Sequence, residues 1–325
     1  VKVLLVSGGH LPIPPQGWGG VENLIWQQKQ ALEQAGHQAD ILNDYVRGLR
    51  RFVAVLKARP WRYDVVHLHL DSYAIYWLIV SRLFRFPVAI STHYGYAAFP
   101  EKWDNSYRRT FRRMRRAKYL ILISQEISDT FRHLGCRAKM FVIPNGIHCL
   151  AVQFSQTAFK QSIVLGRVEP RKKQAMIAQA LDGKAVQCDF AGPIAPDVVF
   201  NPNDCNTHYL GEWSREQVHR ELTNYACLIL LSDGEGHAAV VSEAMAAGLS
   251  LVLSQEASHN LDTSKPWIYI VDRDKDVLSD VVTRAVQENS QYRTQIRQYC
   301  EANFDWSIIL PRYIHDLECI ARENG

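Results

Sequence analysis

Two carboxylates eight positions apart bound the stretch with the most chemistry in it, Glu235-Gly236-His237-Ala238-Ala239-Val240-Val241-Ser242-Glu243. The first falls in a loop after an apolar run. The second falls about two turns further on if the following residues are helical, so both can face one cleft. The open amides of such a helix start favour a phosphate, and a carboxylate can accept two sugar hydroxyls. The same spacing also describes a loop acid followed by a solvated helix acid. A second stretch, Gly166-Arg167-Val168-Glu169-Pro170-Arg171-Lys172-Lys173, crowds four cationic side chains behind the end of an apolar run. Arginine forks onto two phosphate oxygens and lysine adds a compact charge, which is how a diphosphate leaving group can be held without a metal ion. A solvated basic loop has the same composition.

Other residues carry weaker signals. His67 and His69 alternate on one run and so point to the same face. Neither has an acidic or cysteine partner at metal-ligand spacing, and both read as structural, with His69 near an acceptor. His93 follows Ser91-Thr92 at the end of another apolar run. Asp272-Arg273-Asp274 is an Asp-x-Asp, a usual means of holding a diphosphate through a metal. It lies late in the chain and reads as a turn. Arg108, Arg109, Arg112, Arg113, Arg115 and Arg116, with Lys118, interleave with Tyr107, Phe111 and Met114 as a basic helix. Such a face can be merely solvated, can capture an anionic acceptor, or can meet an anionic membrane surface.

The elements that must position these residues follow from periodicity. Short apolar runs at Val1–Ser7, Ala39–Leu42, Val65–Leu70, Pro87–Ser91, Leu120–Ile123 and Met140–Ile143 read as strands buried on both faces. Helical stretches such as Val21–Ala35 separate them. After a break near Cys149–Thr157 the rhythm restarts, with strands at Ser162–Leu165, Gln187–Ala191, Thr207–Leu210, Cys227–Leu231 and Leu249–Ser254. Helices are expected at Gln174–Leu181, Ser214–Asn224, Ala238–Ala247 and Asp305–Arg322. This alternation predicts two doubly wound α/β domains in tandem. Length agrees, since 325 residues exceed what one core usually fills. Charge divides in the same place: residues 1–150 hold 21 Lys and Arg against 10 Asp and Glu, and the remainder 16 against 23. Seven scattered cysteines without a C-x-x-C pair fit a reducing cytosol. The chain starts directly on a strand, so no signal peptide is expected, and Tyr73–Val80 is too short to span a bilayer.

The two chemical stretches resemble the signature of the family 4 retaining glycosyltransferases, together with Glu243-Ala244-Met245-Ala246-Ala247-Gly248. Gly19-Gly20-Val21-Glu22 resembles that family's N-terminal glycine loop, and Pro14-Pro15-Gln16-Gly17-Trp18-Gly19-Gly20 is similar to members acting on bacterial natural products and polysaccharides. Ser91-Thr92-His93, Leu122-Ile123-Ser124, Ile143-Pro144-Asn145-Gly146-Ile147 and Phe304-Asp305-Trp306 extend the resemblance over nearly the whole chain. Departures are Glu235-Gly236-His237-Ala238 for E-G-F-G, Lys172-Lys173 for Lys-Gly, Asn145-Gly146-Ile147-His148 for Asn-Gly-Val-Asp, and Ser254-Gln255-Glu256-Ala257 for a Gly-Gly and Glu segment.

The resemblance implies the GT-B fold, two facing Rossmann-like domains with parallel sheets and an interdomain cleft. Residues 1–150 are expected to bind the acceptor, 151–304 the nucleotide sugar, and 305–325 to form a helix crossing back. It implies that Arg167 and Lys172 stabilise the departing diphosphate. Glu243 would hold the ribose, and Glu235 with Gly236, His237, Ala238 and Ala239 the transferred sugar. Gly166 closes the strand before the basic loop, Gly19 and Gly20 would let backbone approach the diphosphate, and His93 would bond a donor-sugar hydroxyl. The expected activity is retaining transfer of a hexose, from a UDP-sugar in preference to a GDP-sugar, to a glycan, glycolipid or small-molecule hydroxyl. The nucleotide sugar is a co-substrate and no metal or other cofactor is expected. No nucleic-acid partner is expected either. The protein is expected in the cytoplasm, at the inner membrane face if the basic helix binds lipid. Alternatives are an epimerase-like enzyme of the same fold or a non-enzymatic nucleotide- or RNA-binding module using the arginine run. A dinucleotide enzyme is disfavoured, because no G-x-G-x-x-G follows the first strand.

Overall fold

The computed structural model describes all residues except 16–18, 45–47, 49, 203–205 and 325. Gln16, Gly17 and Trp18 of the glycine-rich prefix, and Cys205, therefore lie outside the described residues. The chain forms two compact units, Val1–Pro144 with Ile309–Gly325, and Asn145–Ile308.

The first unit is a six-stranded sheet in the order β2-β1-β3-β4-β5-β6. Its strands are β1 (Lys2–Ser7), β2 (Gln38–Asn43), β3 (Val65–Leu68), β4 (Val88–Ile90), β5 (Tyr119–Leu122) and β6 (Lys139–Val142). Every pairing is parallel. Between them run α1 (Gly20–Gln34), α2 (Arg50–Lys57), α3 (Ala74–Phe84), α4 (Asn105–Met114) and α5 (Gln125–His133). The central strands are continuous apolar runs because helices cover both faces of such a sheet. One core joins Leu68, Trp77, Ile90, Tyr107, Phe111, Leu122 and Phe131.

The second unit repeats the scheme in the order β12-β11-β10-β7-β8-β9, again all parallel. Its elements are β7 (Lys160–Leu165), α6 (Gln174–Leu181), β8 (Cys188–Ala191), β9 (Thr207–Tyr209), α7 (Arg215–Glu221), β10 (Tyr225–Leu230), α8 (Ala239–Ala246), β11 (Ser250–Leu253), β12 (Ile268–Ile270) and α9 (Leu278–Phe304). The edge strand β12 and the 27-residue α9 were not among the expected elements. The final helix, α10 (Trp306–Arg322), starts in the second unit and belongs to the first from Ile309 onward. There Tyr313 is fully buried and hydrogen-bonds His67 at 2.8 Å. Among the described residues no helix is long and apolar enough to cross a membrane.

Candidate active site

In parallel sheets of this kind ligands bind beyond the carboxyl ends of the strands. In the second unit those ends carry both stretches singled out in the sequence. Chain direction reverses sharply at Gly166 (φ 136°), directly after β7, and at Gly192 (φ 137°), directly after β8. A Cβ on Gly192 would lie 2.2 Å from the Gly166 carbonyl oxygen, so the two turns touch and no side chain fits between them. Arg167 then projects outward, exposed, with no ion-pair partner among the described residues. Lys172 folds back and is largely buried, with its Nζ 3.7 Å from Glu235 Oε1.

Glu235 lies in the loop after β10 and is 9 % exposed. Its Oε1 takes three interactions: Arg171 Nη1 at 3.0 Å, Lys172 Nζ at 3.7 Å and the Ser232 hydroxyl at 2.9 Å. Arg171 also donates to the Gly234 carbonyl and, at 2.7 Å, to Glu169. The carboxylate is thus fixed through one oxygen, and Oε2 has no partner among the described residues. The sequence alone assigns Arg171 no role; its signal is its place one residue before Lys172.

Lys173 stands where the resembled family has glycine, and the reason glycine suits the position is visible. It sits at φ 59°, the left-handed region that costs an ordinary side chain about 1 kcal/mol. Its ammonium pairs with Asp233 at 2.7 Å, which offsets part of that cost and ties the basic loop to the Glu235 loop. Arg273 ties the same loop from another side, reaching Asp233 at 2.6 Å and Glu256 at 2.9 Å.

Gly236, His237 and Ala238 are buried, and Ala239 is the exposed first residue of α8. No side chain caps α8, so its first amides remain open to an anion. The His237 imidazole is committed to the scaffold: it bonds Ser242 at 3.2 Å and Asn260 at 3.0 Å and stacks on Phe304. The His237 carbonyl accepts from Asn145 at 3.0 Å. Only backbone of His237 can therefore meet a ligand without breaking these contacts. Asn145-Gly146-Ile147 belongs to this unit, and a Cβ on Gly146 would strike the Trp306 ring at 2.5 Å. Glu243 is half-buried on α8. Desolvation raises its pKa, and Arg215 and Lys172 hold it partly down.

In the first unit the strand ends gather three histidines. His67 Nε2 bonds Ser91 at 2.8 Å, the His67 and His69 rings lie 3.9 Å apart and tilted at 45°, and His69 Nδ1 meets His93 Nε2 at 3.3 Å. Burial lowers His67 to about 3 and His93 to about 4, and holds His69 well below its ordinary value. All three are neutral imidazoles at neutral pH. The His69 Nε2 is buried with no hydrogen-bond partner among the described residues. Thr92, beside His93, donates to Asp71 at 2.6 Å and lies 2.9 Å from the Tyr107 hydroxyl. Gly19 caps α1 and Gly20 begins it. A Cβ on Gly20 would meet nothing within 4 Å, so the fold of this unit does not itself require glycine there.

The basic helix is α4, but it ends at Met114, so Arg115, Arg116 and Lys118 lie in the turn that follows it. Tyr107, Thr110, Phe111 and Met114 are buried, while Arg108, Arg109, Arg112, Arg113, Arg115 and Arg116 are exposed. Arg108 is engaged locally, donating to the carbonyls of Trp103 and Pro100. Asp272 and Asp274 form an exposed turn in which Asp272 pairs with Lys275 at 2.7 Å.

Two doubly wound units, the second with cations and paired glutamates at its strand ends, define an α/β protein of the GT-B class. Two family models match in succession, Glycosyltransferase Family 4 over residues 42–149 and Glycosyl transferases group 1 over residues 152–302. The chain belongs to the family 4-like glycosyltransferases and is an enzyme of the hexosyltransferase class. Its fold is similar to that of Anabaena HepE (17 % identity, 98 % of this chain and 99 % of that one, TM-score 0.74). It is also similar to sucrose-phosphate synthase from Thermosynechococcus elongatus (16 %, 98 % of each chain, TM-score 0.77). AviGT4, involved in avilamycin A biosynthesis, is a third (16 %, 99 % and 98 %, TM-score 0.69). Among curated proteins none matches the chain in sequence.

Proposed function

We propose that the protein transfers a hexose from a UDP-sugar to a hydroxyl of a glycan, glycolipid or small-molecule acceptor, with retention at the anomeric carbon and without a divalent ion. The observation that carries this reading is Lys172 beside Glu235, with the exposed Arg167 in the same loop and the uncapped start of α8 following the Glu235 loop. A departing diphosphate develops charge, and fixed cations placed at that charge lower the barrier most. HepE was crystallised with UDP and glucose and with UDP-glucose, which supports a UDP-sugar donor here.

Glu235 grips sugar hydroxyls through its unpartnered oxygen. Glu243 accepts the ribose hydroxyls. The amides from Gly236 to Ala239 receive donor oxygens, while Gly19, Gly20 and His93 remain the first unit's proposed donor contacts. The exposed arginines of α4 suit anionic groups of an acceptor, because its apolar side chains are all used in the core.

Retention by two displacements needs a free carboxylate nucleophile. Glu235 is a poor one, since Arg171, Lys172 and Ser232 all hold its Oε1. The reaction proposed is therefore same-face: the acceptor hydroxyl enters beside the leaving diphosphate, the new C–O bond forms as the C–O bond to phosphate breaks, and the proton passes to a phosphate oxygen. The test is the anomeric proton coupling of the product by NMR, run with and without EDTA. Expected are a retained anomer and unchanged rate. An inverted product, or activity lost to EDTA and restored by magnesium, overturns the reading.

A further inference from the structure

The first unit carries a second feature unrelated to sugar chemistry. Large apolar side chains stand exposed on three adjoining elements: Val53 and Leu56 on α2, Trp61 in the 3-10 turn Pro60–Arg62, and Ile79, Leu83 and Phe84 on α3. Leu83 is 72 % exposed, the most exposed of the six. They are not scattered. The α2 helix packs on α3, with Phe52 edge-on to Tyr76, and Trp61 stacks on Phe84 at 4.6 Å across the gap between turn and helix. Two aromatic rings stacked at the surface present a rigid apolar ridge whose burial in a less polar medium is favourable.

The rim of this ridge is basic. Arg50, Lys57, Arg59, Arg62, Arg82 and Arg85 are all exposed, and none forms an ion pair among the described residues. Two acids lie between Arg50 and Phe86 in sequence, and both are engaged elsewhere: Asp64 accepts the Lys2 amide at 2.6 Å and Asp71 accepts from Thr92 at 2.6 Å. Apolar side chains including tryptophan and phenylalanine, rimmed by lysine and arginine, match the chemistry of a bilayer interface with anionic headgroups. The same charge disfavours a second copy of the chain across this face, since two like-charged rims would oppose each other. The α4 face differs, having charge but no exposed apolar side chain to insert.

We propose that the α2–α3 face, with Trp61, Leu83 and Phe84 at its centre, docks the protein on an anionic lipid bilayer. The apolar ridge enters the headgroup boundary and the six basic side chains meet lipid phosphates. With α2 and α3 of 8 and 11 residues, the contact lies on the membrane and does not cross it. This inference stands on its own observations and does not depend on the donor chemistry proposed above.

The experiment is co-sedimentation of the full chain with phosphatidylcholine vesicles, with and without phosphatidylglycerol, at low and high salt. Three double variants accompany the wild type: Leu83→Asp with Phe84→Asp, Arg82→Glu with Arg85→Glu, and Arg109→Glu with Arg112→Glu on α4. Thermal midpoint is measured on each, and acceptor-free hydrolysis of the UDP-sugar on the first two; both should match wild type because Arg82, Leu83, Phe84 and Arg85 lie outside the core and outside the proposed donor and acceptor contacts. Expected is binding that requires phosphatidylglycerol and weakens with salt. The first two variants should each lose about tenfold or more in affinity, and the α4 variant should bind normally. Wild type that ignores phosphatidylglycerol vesicles at low salt overturns the proposal. So does binding abolished by the α4 variant but untouched by the other two, or concentration-dependent dimerisation lost in the Leu83→Asp, Phe84→Asp variant without any lipid binding.

Discussion

At the scale of single residues, the site separates groups that hold from groups that react. Glu235 is held by Arg171 and Ser232 at hydrogen-bond distance, while Lys172 stands slightly further off at 3.7 Å and Arg167 has no ion-pair partner among the described residues. The two looser cations are thus the ones free to meet new negative charge. Replacing Arg167 or Lys172 by alanine should slow turnover by roughly a hundred- to a thousandfold with a much smaller change in donor affinity, as removal of an oxyanion donor does elsewhere. Steady-state kinetics with donor varied decide it; normal turnover with only a raised KM would make these groups mere binders. Arg171→Met should also slow turnover, through a Glu235 that has lost its strongest tie. The sequence showed which charges were present, because a Gly-Arg-x4-Lys spacing is local. It did not show that adjacent Arg171 turns to Glu235, a contact 64 positions away in sequence that only folding creates.

At the scale of elements, what positions Glu243 is the pair α8 and α9. The 1 % exposed guanidinium of Arg293, on α9, has no carboxylate partner in any ion pair among the described residues. It donates instead to the carbonyls of Ser155, Thr223, Tyr225 and Ala247 and to the Asn289 side chain. Arg297 donates to Ala246 and Val152. Two cations therefore satisfy the last carbonyls of α8, where helix polarity favours positive charge, and its opposite end stays open for an anion. Burial lowers Arg293 only to about 10, so it stays charged at neutral pH. Arg293→Leu should cost about 3 kcal/mol or more, because several buried carbonyls lose their donor at once. Denaturant unfolding checks this, and a loss below about 0.5 kcal/mol would show that solvent replaces the guanidinium freely. This network also explains why α9 was illegible in sequence. Asn289, Arg293 and Arg297 occupy its buried face and break the apolar stripe that periodicity relies on. All six strands of the first sheet and five of the second were legible, since strands covered on both faces are plain apolar runs. The sixth, β12, is a three-residue edge strand with only Ile268 buried, too short and too exposed to stand out.

At the scale of the whole molecule, stability should depend on pH more steeply in the first unit than in the second. His67, His69 and His93 are held neutral by burial in the first, against His219, lowered to about 4, and His148 in the second. The sign follows from proton counting. Below pH 6.5 the unfolded chain protonates these histidines and the folded one does not, so the unfolded state binds more protons and stability falls as pH falls. For a histidine still neutral in the fold, the loss at pH 5 is about 2 kcal/mol each. Asp71 acts in the opposite sense, because desolvation raises its pKa and protonation relieves the folded state. Calorimetry from pH 7.5 to 5 should therefore show the transition of the first unit dropping by several degrees more than that of the second. His69→Gln, which cannot titrate, should flatten part of that fall, and the three imidazole resonances should keep neutral shifts down to pH 5. Two transitions that move together, or one of these three histidines titrating near 6.5 in the folded protein, would refute this.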